Sequence, residues 1–600
     1  MPRAASHHRS GDPAMNAKRG RLSQPKHKVI IEKDVRIPMR DGTTLLADIF
    51  RPKSPGKYPA IVNISCYQKD KVWVPPADLE EKANPYMTWE TVNPLWWVPR
   101  GYICVRVDTR GSGKSPGLSD PGGYQETLDY YDAIEWAARQ KWCSGKTGAA
   151  GISYHATQQW RVATLQPPSL KAIIPWEGYA DTYRDAVYHG GIFQLYYLST
   201  WYATQMAHHL LGDPQGYNPD AFRNERLYNY MRNSLDTGWW DDRGASAHWD
   251  KIKVPLYSAG NWSGANLHLR GNTEGYINAA SKHKKLRIHT GTHYHAFYTE
   301  DGRRDQLRWF DYWLKGIDTG IMQEPPVKLL IRTGGKGMND YRFRFENEWP
   351  LKRTRWTKLF LNADKTKPVP GDKGVEGRLL KTAPPKAAKV SYSATGVSHA
   401  GVASASSTML QAGSMHRIGV TFETAPFAEA TEITGPVKLV LWVSSNVKDM
   451  DMFITVRNID ADGNDVWEVG QQGQKVPVAK GWLRASHRKL DPKRSLPYRP
   501  FHAHNERWWL KPGEPVECEI EIWPMCMVFG KGHRLRLDVQ PRDGVGSAPY
   551  THYPAAYNTG GTNTIHTGGK MASYLLLPLI PPKKEAGGTA RRAPRRPAKK

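Results

Sequence analysis

Short, almost continuously apolar runs alternate with helical stretches in the first half of this chain, and no other feature narrows its fold as much. Pro59-Ala60-Ile61-Val62-Asn63-Ile64, Tyr102-Ile103-Cys104-Val105-Arg106-Val107, Leu170-Lys171-Ala172-Ile173-Ile174-Pro175, Val254-Pro255-Leu256-Tyr257-Ser258 and Leu286-Arg287-Ile288-His289 each have the length of a strand. Leu128, Tyr131, Ile134 and Trp136 recur at helical spacing between the second and third runs. Strands buried on both faces and alternating with helices specify a parallel α/β sheet. Before them, residues 29–37 and 45–50 alternate polar and apolar around the turn Arg40-Asp41-Gly42-Thr43, which is the pattern of a hairpin.

One strand in the middle of that order carries chemistry. The small-residue run Thr147-Gly148-Ala149-Ala150 leads into Gly151-Ile152-Ser153-Tyr154 and then into a helix. A strand turning directly into a helix forces the turn residue into a strained backbone conformation and lifts its side chain clear of the sheet. Ser153 is therefore a candidate nucleophile, the other reading being an ordinary turn capped by serine. Ligands of such sheets bind at the carboxyl ends of the strands, where Ser153 falls. Gly111-Ser112-Gly113-Lys114-Ser115 has the flavour of a phosphate loop, but Asp108 stands where that motif needs glycine, which argues against a nucleotide hydrolase.

Residues 181–250 interrupt the alternation with a helical, aromatic stretch that includes Phe193, Tyr196, Tyr197, Trp201, Tyr202, Trp239 and Trp240. An insertion there would cap the sheet, and a ring-lined lid suits an acyl or aromatic substrate group. From 327 to 580 the chain changes to short alternating segments separated by turns, predicting an all-β jelly-roll sandwich. The expected fold is thus an α/β-hydrolase domain (29–180 and 251–320) with a helical cap (181–250), followed by the jelly roll.

Net charge is +27, but +6 of it lies in residues 1–28 and +7 in residues 583–600, both polar and rich in small residues. These are expected to be disordered basic arms. The body carries no nucleic-acid motif, so nucleic acid is not expected as a partner. No apolar run is long enough for a membrane span, and residues 1–28 lack the apolar core of a signal peptide. Cys66, Cys104, Cys143, Cys518 and Cys526 show no metal-ligand spacing and are odd in number, which points to a reduced, cytoplasmic protein without a metal.

Several stretches together resemble the CocE/NonD hydrolases, the serine-hydrolase group that includes cocaine esterase-like, α-amino-acid ester hydrolase-like and X-Pro dipeptidyl-peptidase-like enzymes. The resemblance runs over roughly residues 30 to 580. Arg40-Asp41-Gly42-Thr43-Thr44-Leu45 is similar to the family's opening hairpin, Cys66-Tyr67-Gln68-Lys69-Asp70 to its tyrosine loop, and Gly151-Ile152-Ser153-Tyr154 to its elbow. Asp108-Thr109-Arg110-Gly111 is similar to the loop after the next strand, and Thr431-Glu432-Ile433-Thr434-Gly435-Pro436 to part of the C-terminal domain.

The resemblance implies that Ser153 forms an acyl-enzyme while the Tyr154 backbone N–H and the Tyr67 hydroxyl donate to the oxyanion. It places the histidine base at His295, in Gly291-Thr292-His293-Tyr294-His295, with His293 as the second candidate; proline and tryptophan of the family pattern are replaced by Thr292 and His293. The family's acid position is occupied by Ser263, in Gly260-Asn261-Trp262-Ser263, and serine cannot stabilise an imidazolium as a carboxylate does. Glu177, at the end of the strand after the nucleophile strand, is the candidate for a relocated acid. Asp181 lies near Arg184, which suggests a structural ion pair. No cofactor is implied. The implied substrate is a small ester, an acyl-amide or a short X-Pro peptide, with a non-catalytic binding protein on the same scaffold as the remaining alternative.

Overall fold

The structure, a computed structural model, describes residues 18–77, 79–207, 226–334, 341–368, 374–394, 419–544, 550–552 and 560–582. The C-terminal arm, residues 1–17 of the N-terminal arm and part of the expected cap lie outside the described residues.

A ten-stranded sheet organises the first half. Its strands in chain order are β1 (Val29–Pro38), β2 (Thr44–Pro52), β3 (Tyr58–Ser65), β4 (Ile103–Asp108), β5 (Cys143–Ile152), β6 (Leu170–Trp176), β7 (Leu256–Asn261), β8 (Lys284–His289), β9 (Val327–Ile331) and β10 (Arg342–Glu346). Across the sheet they run β10-β9-β8-β7-β6-β5-β3-β4-β2-β1. From β9 to β4 neighbours pair parallel, while the β1–β2 hairpin and β10 are antiparallel. The inner strands are buried on both faces, which is why they show apolar runs instead of alternation. Helices α1 (Tyr124–Arg139), α2 (Tyr154–Thr164), α3 (Leu269–Asn278) and α4 (Glu300–Lys315) pack on the faces.

Two boundaries differ from the expectation. Residues from 327 were assigned to the C-terminal sandwich, yet β9 and β10 extend the first sheet, because Val327 and Leu329 lie in register beside Leu286 and Ile288 of β8 and bury fully there. Residues 18–28 were expected to be part of a disordered arm, yet Lys18–Arg19 pairs with Ile317–Asp318, and the Ser23 N–H and hydroxyl both bond the Asp311 carboxylate at 2.7 Å. A buried carboxylate needs such donors, and this segment supplies them.

The second half is a separate domain. Eleven strands between Arg355–Pro368 and Tyr574–Leu579 form one sheet. Tyr574–Leu579 pairs with both Arg355–Pro368 and Thr431–Ser445, so the sheet closes into a barrel around an aliphatic core that includes Val437, Leu439, Ile454, Ile520 and Leu537. The two domains are joined by a buried ion cluster in which Arg270 of α3 reaches Asp185 at 2.9 Å and Glu521 of the barrel at 3.0 Å. Over the sheet, the segments Thr182–Val187, Leu195–Trp201, Arg226–Arg232 and Gly238–Arg243 are helical and share an aromatic core that includes Tyr183, Tyr188, Tyr230 and Trp240. No helix among the described residues is long and apolar enough to cross a membrane.

Candidate active site

Ser153 stands between β5 and α2 at φ 57° and ψ −114°, a region that costs a non-glycine residue about 1–3 kcal/mol. Two features hold it there. Its N–H donates to the carbonyls of Trp176 and Glu177 on the neighbouring strand, and its own carbonyl accepts the Thr157 N–H of α2. The tight turn also needs glycine at 151, where a Cβ would come within 2.6 Å of the His155 Cβ. Because Tyr154 is the first residue of α2, its N–H has no acceptor within the helix.

Ser153 Oγ lies 3.3 Å from His268 Nε2. His268, just before α3, is buried, and its ring is nearly parallel to two neighbouring rings, that of Tyr179 with centroids 6.2 Å apart and that of His293 with centroids 5.1 Å apart. His268 Nδ1 has no hydrogen-bond partner among the described residues. Burial drives His268 well below the ordinary histidine value, and the neighbouring His293 pushes it further down. A neutral imidazole with a free Nε2 lone pair toward a serine is the state a general base needs.

Glu177 is fully buried directly after β6, at φ 48°. Its carboxylate accepts from His289 Nε2 at 2.7 Å, His293 Nδ1 at 2.7 Å, Asn261 Nδ2 at 3.1 Å and the Gln471 side-chain amide of the C-terminal domain. Burial would raise its pKa, but the charge of His293 and the hydrogen bonds of both histidines prevail and hold it down at about 2. For His293 burial opposes the charge, and the carboxylates of Glu177 and Glu90 overcome it, lifting the ring to about 10. Glu90 receives His293 Nε2 at 3.1 Å.

Tyr67 follows β3, and its hydroxyl accepts the Trp201 indole N–H at 3.0 Å. Its ring sits 5.6 Å from that of Tyr154, and the same pocket contains Ser153. The Tyr154 hydroxyl turns away to the buried Glu126 at 2.6 Å, leaving only the backbone of Tyr154 to serve Ser153. Tyr179, Leu198, Trp201, Leu267 and Arg226 are among the residues of the pocket walls, and the Arg226 guanidinium lies 4.6 Å over the Trp201 ring.

The structure thus gathers Ser153, Tyr67 and Tyr154 at one pocket and surrounds Glu177 with histidines. It pairs Ser153 with His268 and not with His295, which begins the short helix His295–Tyr298 and has an Nδ1 without a hydrogen-bond partner among the described residues. Physically, His293 takes the carboxylates that a base at this loop would need, and the helix carries His295 onward. Asp181 accepts the Arg184 N–H and guanidinium, a local helix cap and ion pair. His268, His289, Glu90 and Gln471 were missed by the reading of the sequence; a lone histidine before a helix and a glutamine in a distant domain carry no spacing signal.

The matches to known proteins agree with this architecture. Residues 41–295 match the model of the X-Pro dipeptidyl-peptidase (S15 family), and residues 319–576 match the X-Pro dipeptidyl-peptidase C-terminal non-catalytic domain. A CocE/NonD family hydrolase from Staphylococcus aureus is 30% identical, with a TM-score of 0.80 over 92% of this chain and 94% of its own. The chain belongs to the CocE/NonD hydrolase family. It is a serine hydrolase. Among curated relatives, a putative serine esterase from Mycobacterium bovis is 24% identical, covering 94% of this chain and 97% of its own. Cocaine esterase from Rhodococcus is 25% identical, covering 92% and 98%.

Proposed function

We propose that this CocE/NonD hydrolase cleaves small carboxylic esters or acyl-amides through an acyl-enzyme on Ser153, with His268 as the base. The observation that carries this reading is the 3.3 Å approach of a buried imidazole to a serine held on a strained elbow. In the acylation step Ser153 Oγ bonds to the substrate carbonyl carbon while its proton passes to His268 Nε2. The developing oxyanion accepts from the Tyr154 N–H and the Tyr67 hydroxyl. Collapse expels the alcohol or amine, which takes the proton from His268, and water then repeats the sequence on the acyl-enzyme. Glu177 supplies the buried negative charge of the site.

The pocket walls favour an apolar or aromatic acyl group. None of the described residues lining the pocket around Ser153 is a carboxylate, whereas the free ammonium of an X-Pro dipeptide needs one. The barrel is taken as a jelly roll, and the protein as cytoplasmic, in keeping with five free buried cysteines. Wild-type protein is to be assayed side by side on p-nitrophenyl acyl esters and an X-Pro anilide. Faster turnover of the esters is expected; preference for the anilide would replace this reading by a dipeptidyl-peptidase, and absence of any turnover together with absence of fluorophosphonate labelling at Ser153 would leave a binding protein.

A further inference from the structure

The carboxylate of the site does not touch the histidine that faces the nucleophile. Glu177 bonds His289 and His293, and His268 Nδ1 faces no carboxylate. What does lie against His268 is the flat face of His293, with ring centroids 5.1 Å apart and planes within 8°. His293 is gripped at both ends, Nδ1 by Glu177 at 2.7 Å and Nε2 by Glu90 at 3.1 Å, so both nitrogens act as donors and the ring cannot turn. The second grip comes from the segment that also steadies the elbow: the Glu90 carbonyl accepts the Ile152 N–H at 2.9 Å, and Thr91 bridges Gly151.

We propose that His293, pinned as an imidazolium between Glu177 and Glu90, orients His268 by face-to-face stacking and keeps it unprotonated until it accepts the Ser153 proton, making His293 and Glu90 positioning residues of the hydrolytic site. The inference rests on the assignment of His268 as the base. The groups around His268 are Ser153 at its Nε2 and the parallel rings of Tyr179 and His293, with Glu177 and Glu90 bonded to His293 and His289 bonded to Glu177. Tyr179 is pushed up to about 12 by burial and stays neutral while His268 titrates, so the local field at His268 is that of His293 and its carboxylates. A fixed cation against one face penalises protonation of His268. When His268 does take the Ser153 proton, the two carboxylates flanking His293 offset the added charge, so the protonated state remains reachable for a transition state.

Activity requires neutral His268 and falls as pH drops through its pKa. Removing the cation raises that pKa, and removing a carboxylate lowers it. His293→Gln keeps a hydrogen-bonding side chain but no charge; the acidic limb of its kcat/KM profile for a p-nitrophenyl ester is expected to move up by about one pH unit. Glu90→Gln leaves His293 held by Glu177, so its acidic limb is expected to move down by about half a unit with KM unchanged. The same profiles can be taken from the rate of fluorophosphonate labelling of Ser153, which needs no turnover. If wild-type Ser153 fails to label, the hydrolase reading itself falls. If it labels and both limbs stay put or move together, the positioning role of His293 is overturned; should His293→Gln not fold, an unmoved or upward-moving limb in Glu90→Gln overturns it alone.

Discussion

The two sides of the active site are built in contrasting ways. On the nucleophile side Ser153, Tyr154 and the glycine that permits the turn fall within four successive residues, and Tyr67 lies at the end of an adjacent strand in the same sheet. On the histidine side, Glu90, Glu177, His268, His289, His293 and Gln471 come from five separate stretches of the chain, with only His289 and His293 sharing one and Gln471 in the other domain. A nucleophile needs local strain, which a short motif can encode. A charge network needs only proximity, which the sheet provides by bringing the ends of β6, β7 and β8 together.

Substitutions can break this contrast or sharpen it. Ser153→Ala removes the bond-forming atom and is expected to cut ester turnover by at least about 10⁴-fold, measured on protein whose unfolding transition matches wild type. Glu177→Gln takes one negative charge from the centre of the network while retaining its shape. Turnover is expected to fall by about 10³-fold, and unfolding in denaturant should shift to lower concentration because a buried imidazolium loses a counter-ion. Wild-type turnover in that variant would detach the histidine side from catalysis. Tyr67→Phe deletes one oxyanion donor and should lower kcat by about 10²-fold while leaving KM and folding close to wild type. An unchanged kcat would move Tyr67 out of the nucleophile side.

The contrast also explains what the sequence could disclose. The strands from 59 to 289 were legible because burial on both faces writes itself as uninterrupted apolar residues, and the Ser153 elbow because its small neighbours are contiguous. Glu177 was legible as a carboxylate at a strand end. The strands at 327 and 342 were not, because short alternating segments look alike whether they extend one sheet or begin the next. His268 was not legible either: it sits just before α3 at no fixed spacing from Ser153, and only the packing of α3 against the sheet and the C-terminal domain brings it there. The motif-bearing histidine loop pointed to His295, whereas the described geometry uses that loop to hold His293 on carboxylates.

Which imidazole serves Ser153 is decided by one paired measurement: the rate at which a fluorophosphonate labels Ser153 in His268→Ala and in His295→Ala, each compared with wild type at neutral pH. The geometry predicts a fall of about 10³-fold or more for His268→Ala and a rate near wild type for His295→Ala. The reverse pattern would contradict it and return the base to His295.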